Sequence, residues 1–382
     1  MSKINDLIKK LCPNGVEYKT LDKVCNINKG KQLNKDGLLS DGVYPVINGG
    51  ITPSGYWNDY NYDENLITIS QGGASAGYIA YQLTKFWAGA HCYVVEDCKD
   101  NIVYKYLYHF LKSKQAALQS SQVGAGIPSV SLKEIYGLKI PLPPVEVQKE
   151  IVLILDKFGE LEAELEAELE ARKSQYEFWR EKLLNNGKYS VVSLGDYATF
   201  SQGIQVDPKD QKDYCDDGMV PFLRIVDFVK DDEPPRYIIK PDNKYIKKEN
   251  EEMVMIRYGA SAAGKVFINK YGAIANNMFK INLTTNEIDI KYLWHYLSQD
   301  KIYKSLNNTG GGSTMPAINF KMASSIQVVL PPKEEQNRIV KILDKFEELA
   351  NDITVGLPAE IELRRKQYEY YRNKLLSFEE AL

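Results

Sequence analysis

The sequence predicts an α+β chain in which two related mixed α/β domains with curved sheets are separated by two long helices forming an antiparallel coiled coil. Three observations predict it: an internal repeat running through the whole chain, a proline-led amphipathic segment closing each copy, and short apolar runs punctuated by Gly, Pro, Asn and Ser. The 382 residues suit two or three domains with substantial cores, and 44% hydrophobic with 26% charged residues excludes a disordered or collagen-like chain.

Near the start of each copy, Leu21-Asp22-Lys23 to Gly30-Lys31-Gln32 parallels Leu194-Gly195-Asp196 to Gly203-Ile204-Gln205. Next come apolar runs that read as strands ending in loops, Leu66-Ile67-Thr68-Ile69-Ser70 and Met253-Val254-Met255-Ile256. The loops themselves match, Gly72-Gly73-Ala74-Ser75-Ala76-Gly77 with Gly259-Ala260-Ser261-Ala262-Ala263-Gly264. Lys105-Tyr106-Leu107-Tyr108-His109-Phe110-Leu111 and Lys291-Tyr292-Leu293-Trp294-His295-Tyr296-Leu297 read as short helices.

Each copy ends on the strongest match. Leu142-Pro143-Pro144 leads through Gln148 into Ile151-Val152-Leu153-Ile154-Leu155-Asp156-Lys157-Phe158, and Leu330-Pro331-Pro332 leads through Gln336 into Ile339-Val340-Lys341-Ile342-Leu343-Asp344-Lys345-Phe346. Proline is tolerated at the start of a helix, and the apolar residues that follow recur at steps of three and four. Both segments therefore read as long helices, and two such stripes fit one another as a coiled coil. Gly356-Leu357-Pro358 should kink or interrupt the second. The first instead repeats Leu161-Glu162-Ala163-Glu164 as Leu165-Glu166-Ala167-Glu168, either a solvated acidic face or a length-setting spacer. The expected boundaries are 1–144 and 188–330 for the domains, 145–187 and 331–382 for the helical regions.

Catalytic constellations are scarce. Gly259 to Val266 falls one residue short of a phosphate-binding GxxxxGK[ST] loop, because Val266 lacks the hydroxyl and the following residues read as strand and turn. HExxH is absent, and the three histidines, His91, His109 and His295, offer little to build a triad on. His109 and His295 read as satisfied core or helix-face residues. Five cysteines without a CxxC pair suggest neither a disulfide framework nor a zinc knuckle, and His91-Cys92 with Cys98 is the one cluster to consider for metal. No segment approaches the ~20 apolar residues of a membrane span and the start lacks a signal-peptide core, so a cytoplasmic, non-membrane protein is expected.

The net charge of −3 conceals a segregation. From Met253 to Asn286 there is no Asp or Glu while Arg257, Lys265, Lys270 and Lys280 are present, and from Asn101 to Lys133 the only charges are four lysines. Such acid-free stretches suit a nucleic-acid partner. A coiled-coil scaffold with protein-binding flanking domains is the alternative, and an ATP-dependent enzyme built on the Gly259 loop is a third reading.

Taken together, the duplicated LPP segments, the helices they begin and the two dissimilar domains resemble the specificity (S) subunit of type I restriction-modification enzymes. The resemblance implies a non-catalytic protein whose two target recognition domains each read half of a split sequence in double-stranded DNA. It further implies helices that set the spacer and dock two modification (methyltransferase) subunits, with two restriction (translocase and nuclease) subunits beyond them. No cofactor is expected on this chain; S-adenosylmethionine, ATP and Mg would belong to the partners.

Base edges are read by side-chain donors and acceptors on loops. On that reading the DNA-contacting residues are Gln32, Asn48, Gln71, Ser75, Tyr78 and Ser129 in the first domain. In the second they are Gln205, Arg224, Arg257, Tyr258, Ser261, Lys265, Asn276, Asn277, Ser313 and Thr314. Arg257 is expected to read bases and Lys280 to anchor phosphate, while Arg224 could instead pair with an internal carboxylate and Asn276-Asn277 could cap a turn. The helical residues expected to dock partners are Gln148, Phe158, Tyr176, Trp179, Gln336, Phe346, Tyr368 and Tyr371.

Overall fold

A computed structural model describes residues 2–34, 38–99, 101–120, 128–230, 233–259, 262–308, 317–351 and 356–381, leaving aside the side chains of 2, 308, 350 and 351. They form two units, 1–166 with 360–382 and 167–359.

Each unit is organised by one four-stranded antiparallel sheet. Its order in the first unit is Asn26–Lys29, Cys92–Glu96, Leu66–Ser70, Ile79–Gln82, and in the second Ala198–Gln202, Met278–Leu283, Met253–Ile256, Val266–Phe267. Side chains alternate across a strand, and here both faces are covered. Tyr93 and Val95 join a core with Tyr106 and Leu107, whereas Cys92 and Val94 join a second core with Phe86 and Ala88. Likewise Met253 and Met255 face one core, Val254 and Ile256 the other. Double coverage explains why these strands read as unbroken apolar runs. The second core is completed by a mixed sheet, three strands around Tyr44–Ile47 in the first unit and four around Met219–Leu223 in the second. An antiparallel pair, Glu17–Thr20 with Lys139–Leu142 or Ser190–Ser193 with Gln327–Leu330, ties each domain's entry to its exit.

The domain helices that carry the repeated Lys-Tyr-Leu segments are Tyr104–Ser120 in the first unit, and Ile290–Leu297, followed by Asp300–Asn308, in the second. The first of these is longer than the sequence suggested. The LPP motif starts helices as expected: Val145–Leu184 runs unbroken for 40 residues, while its counterpart divides into Lys333–Asn351 and Leu357–Leu375 around Gly356 and Pro358. The glutamine of each motif is fully buried. The Gln148 amide donates to the Pro143 and Asn101 carbonyls at 2.8 and 3.0 Å and accepts from the Val103 N–H at 2.8 Å. Gln336 repeats this with Pro331, Glu287 and Asp289. Both amides weld a helix start to the approach to a domain helix, and the expectation that they dock partners is corrected on that ground.

Further along, each helix grips its domain through a buried histidine. In the first unit His109 Nε2 lies 2.9 Å from Asp156 Oδ1 and His109 Nδ1 lies 3.1 Å from the Tyr368 hydroxyl; Lys105 donates to Asp156 Oδ2 at 2.6 Å. Arg372 covers the Tyr368 ring at 5.1 Å. Phe158 stacks on Tyr371 at 5.5 Å, and Arg365 bridges Glu162 and Glu166 at 2.6 and 2.5 Å, so these two helices run antiparallel in contact. In the second unit His295 lies 2.9 Å from Asp344 and 3.4 Å from the Tyr176 hydroxyl, Lys291 donates to Asp344 at 2.9 Å, and Arg180 covers Tyr176 at 5.1 Å. Burial holds both imidazoles below the ordinary histidine pKa against the pull of their aspartates. A neutral ring that donates through Nε2 and accepts through Nδ1 suits both partners.

The clamps differ at one residue: Glu347 in the second stands where the first has Gly159. The ligating atoms of His295, Asp344 and Glu347 lie within 4.8 Å of one another, yet Lys291 already neutralises Asp344 and the first unit keeps the same His–Asp–Lys contact without the glutamate. Burial, then the neighbouring Asp344, pushes the Glu347 carboxyl up from 4.5 to about 7. Between those values the folded chain holds a proton that the unfolded chain releases, so this group's contribution to stability falls as pH rises through that window. Glu347→Gln should therefore raise Tm over the parent by more at pH 8 than at pH 5. Equal gains at the two pH values would contradict the assignment.

Candidate nucleic-acid interface

One set of loops projects from the four-stranded sheet of each unit, and its backbone is pinned by the same hydrogen bonds twice. The Gln71 N–H donates to the His91 carbonyl at 2.8 Å and Arg257 to Asn277 at 2.9 Å; Val130 then donates to Gln71 at 2.8 Å and Ile318 to Arg257 at 2.9 Å. Gly89 donates to Ile47 and Ala275 to Leu223; Ser70 donates to Tyr78 and Ile256 to Lys265. This register pairs Gln71 with Arg257, His91 with Asn277, Asn48 with Arg224, and Tyr78 with Lys265. It also corrects the sequence alignment of the glycine loops. Gly72 bridges to Ser129 where Tyr258 bridges to Ala317, so Gly72 matches Tyr258 and the second loop is one residue longer.

Glycine is required just past the strands Asn26–Lys29 and Ala198–Gln202, two residues before Gln32 and Gln205. A Cβ on Gly30 would meet the Gly89 oxygen at 2.3 Å, and one on Gly203 the Ala275 oxygen at 2.2 Å. No rotamer relieves a clash with backbone, so the close approach accounts for the repeated Gly-x-Gln.

In the first unit Asn48, Gln71 and Ser129 line one open cleft of about 590 Å³ together with Gly72, Gly73 and His91. Asn48 Oδ1 accepts from the His91 N–H at 2.9 Å, so it positions His91. His91 is exposed, lies in the cleft and was missed as a site residue; its pairing with Asn277 in the repeat was the available signal. The metal cluster considered for it does not assemble, since Cys92 faces the core holding Phe86 and Cys98 packs against the other. Gln32 is exposed and donates to the Leu33 carbonyl. Ser75 accepts from the Tyr78 N–H in the turn, and the Lys112 ammonium lies 4.6 Å from the Tyr78 ring centre.

In the second unit Asn276 donates to Gln205 at 3.3 Å, and the Arg257 guanidinium lies 5.0 Å from the ring centre of half-exposed Tyr258. Lys265 is exposed. Ser261, Ser313 and Thr314 lie outside the described residues. Arg224 is corrected: it donates to both Asp227 oxygens at 3.0 and 2.7 Å and approaches Glu233 at 3.4 Å, the internal pairing foreseen as its alternative. Lys280 is corrected too. Only 4% exposed, it donates to the Ile246 carbonyl at 2.7 Å and to Glu252 at 3.0 Å, so it cannot reach a phosphate.

Of the helical residues, Phe158, Tyr176, Phe346, Tyr368 and Tyr371 are engaged in the clamps and cores, whereas Trp179 is half-buried. Their neighbours Phe178 and Tyr370, 59% and 60% exposed, were overlooked. They occupy matched places in Tyr176-Glu177-Phe178-Trp179 and Tyr368-Glu369-Tyr370-Tyr371, with Lys182 and Lys374 each 5.7 Å from the exposed ring centre.

Residues 13–171 and 186–363 match the model of the type I restriction modification DNA specificity domain. A putative type I restriction enzyme specificity subunit from Haemophilus influenzae is 33% identical over 391 aligned positions, covering 95% of this chain and 96% of that protein. A type I restriction enzyme specificity subunit from Escherichia coli is 34% identical over 306 positions, covering 75% and 74%. The crystal structure of a type I S subunit from M. genitalium superposes with a TM-score of 0.60 at 18% identity, over 95% of this chain and 96% of that one. No helix among the described residues is long and apolar enough to cross a membrane.

Lys280→Ala should lower the unfolding free energy by about 2 kcal/mol, because it leaves the Ile246 carbonyl without its donor and Glu252 without its counter-charge. Urea unfolding checks the loss, and the salt slope of DNA binding by the folded fraction should not change. A reduced slope with normal stability would restore the phosphate-anchor role.

Proposed function

The chain belongs to the type I restriction-modification specificity-subunit family, and from that premise we propose that each unit's matched loops read one half of a split DNA target while the shared helices set the gap between halves. Specificity subunits are the non-catalytic components that determine the DNA target. The observation that carries the reading is the doubled loop register: one backbone arrangement, two different sets of side chains. A protein that reads two unlike sequences with one kind of domain needs this combination, since the backbone fixes how a loop meets a groove and the side chains choose the base. The reading loops are assigned to recognition domains at 1–144 and 188–330, with conserved helical regions at 145–187 and 331–382.

Within the first domain the assignment rests on Gln32, Gln71, Ser75, Tyr78, His91 and Ser129, with Asn48 positioning His91. In the second it rests on Gln205, Arg257, Tyr258, Lys265, Asn276 and Asn277. The repeated exposed patch, Phe178 with Lys182 and Tyr370 with Lys374, supports docking of two copies of one partner, because two matched surfaces accept two identical subunits. Those are the modification subunits, which would supply S-adenosylmethionine and methylate adenine. Two restriction subunits using ATP and Mg complete the complex. A chain with net charge −3 gains from partners that add positive surface around the duplex.

The test is co-expression with the cognate modification subunit in an unmethylated host, followed by genome-wide mapping of adenine methylation. Two short half-sites around a fixed gap are expected; a soluble complex that leaves no methylation would refute the reading. Deleting Leu161 to Glu164 removes about 6 Å of helix at ~1.5 Å per residue, worth up to about two base pairs at ~3.4 Å each. The gap should shorten with both half-sites intact, and an unchanged gap would show that the Leu-Glu-Ala-Glu repeat is only a solvated face.

A further inference from the structure

We propose that Gln71 with His91, and Arg257 with Asn277, form one equivalent base-reading position whose chemistry makes the two half-sites differ: an adenine reader in the first unit, a guanine reader in the second. The inference rests on the proposed function and deepens it by assigning base chemistry to two named side chains.

Hydrogen-bond register establishes the equivalence. Each pair is joined by the same backbone bond, at 2.8 Å from Gln71 to His91 and 2.9 Å from Arg257 to Asn277, and each first member accepts from the strand-like segment at Val130 or Ile318. Three of the five buried side-chain polar atoms without a partner among the described residues fall at this position, the others being Asn307 Oδ1 and Arg372 Nε. Gln71 Oε1, Arg257 Nε and Asn277 Oδ1 are buried without a hydrogen-bond partner, although buried polar groups in folded proteins are nearly always paired. At the adjacent pair the opposite holds: Asn48 bonds to the His91 N–H and Arg224 to Asp227 and Glu233. Unpaired atoms thus concentrate at this position, a cost that a turn of these side chains toward a base edge would offset.

The side chains then specify the letter. A glutamine amide carries one donor and one acceptor, the complement of adenine N6 and N7, whereas a guanidinium presents two parallel donors to guanine O6 and N7. The Arg257 guanidinium lies 5.0 Å from the Tyr258 ring centre, within cation–π range. Beside Gln71, Gly73 adopts φ +83° with nothing within 4 Å of a Cβ placed there, which leaves the cleft open to a groove edge. His91 adds an exposed ring nitrogen to that cleft.

The experiment uses the complex with the modification subunit and duplex libraries randomised over the split motif of the parent. Arg257→Gln should lose guanine preference on the order of tenfold or more at a single position of one half-site, leaving the other half-site untouched. Gln71→Arg should replace adenine by guanine at one position of the opposite half-site. Should Arg257→Gln fail to fold, Arg257→Lys carries the test: the charge remains but the two-donor fork is lost, so guanine preference weakens at the same position while the salt slope stays. A parent complex that selects a split motif which none of these exchanges alters, or in which one exchange changes both halves, overturns this inference alone. A parent that selects no split motif counts against the proposed function instead.

Discussion

A neutral imidazole shared between a carboxylate and a tyrosine hydroxyl is the contact on which the arrangement of each unit depends. His109 and His295 bridge two partners through their two ring nitrogens, and burial lowers their affinity for a proton. The partners come from different helices. Asp156 and Tyr176 lie on one continuous helix, yet the first serves the clamp around His109 and the second the clamp around His295. Asp344 and Tyr368 divide in the same way across the interrupted helix. Each helical region thus has two jobs at two ends, which explains why its matching residues cluster at the LPP-to-Phe start and the Gln-Tyr-Glu end while the middle is free to differ.

Much of this was legible in the sequence because the repeat marks it twice. The LPP starts, the break at Gly356, the strands at Leu66 and Met253 and the satisfied histidines all follow from patterns that depend on local periodicity or on recurrence. What the sequence hid was the third dimension of polar contacts. Nothing in the composition near Lys280 distinguishes a surface lysine from one whose ammonium is enclosed by Ile246 and Glu252. Gln148 and Gln336 looked like surface residues of a helix, and only the folded chain shows their amides bonded across to the domain. His91 was obscured by its cysteine neighbours, and the one-residue difference between the glycine loops concealed its match to Asn277.

The two kinds of polar residue divide the molecule by purpose. Where the structure must be the same in both units, every amide and carboxylate finds an internal partner: Gln148, Gln336, Asp156, Asp344. Where the units must differ, polar atoms of Gln71, Arg257 and Asn277 are left unpaired. Stability is concentrated in the first set, and the second is where the proposed discrimination between targets would reside.

The doubled helical region also has a consequence for heredity. Two stretches of one gene specify nearly the same residues, from Leu142 through Phe158 and from Leu330 through Phe346, and similar stretches are where recombination joins strands. A crossover there would bring a reading domain from one lineage next to a partner domain from another. Its Asp–His and glutamine contacts would be rebuilt from the incoming copy, so the hybrid would keep its architecture.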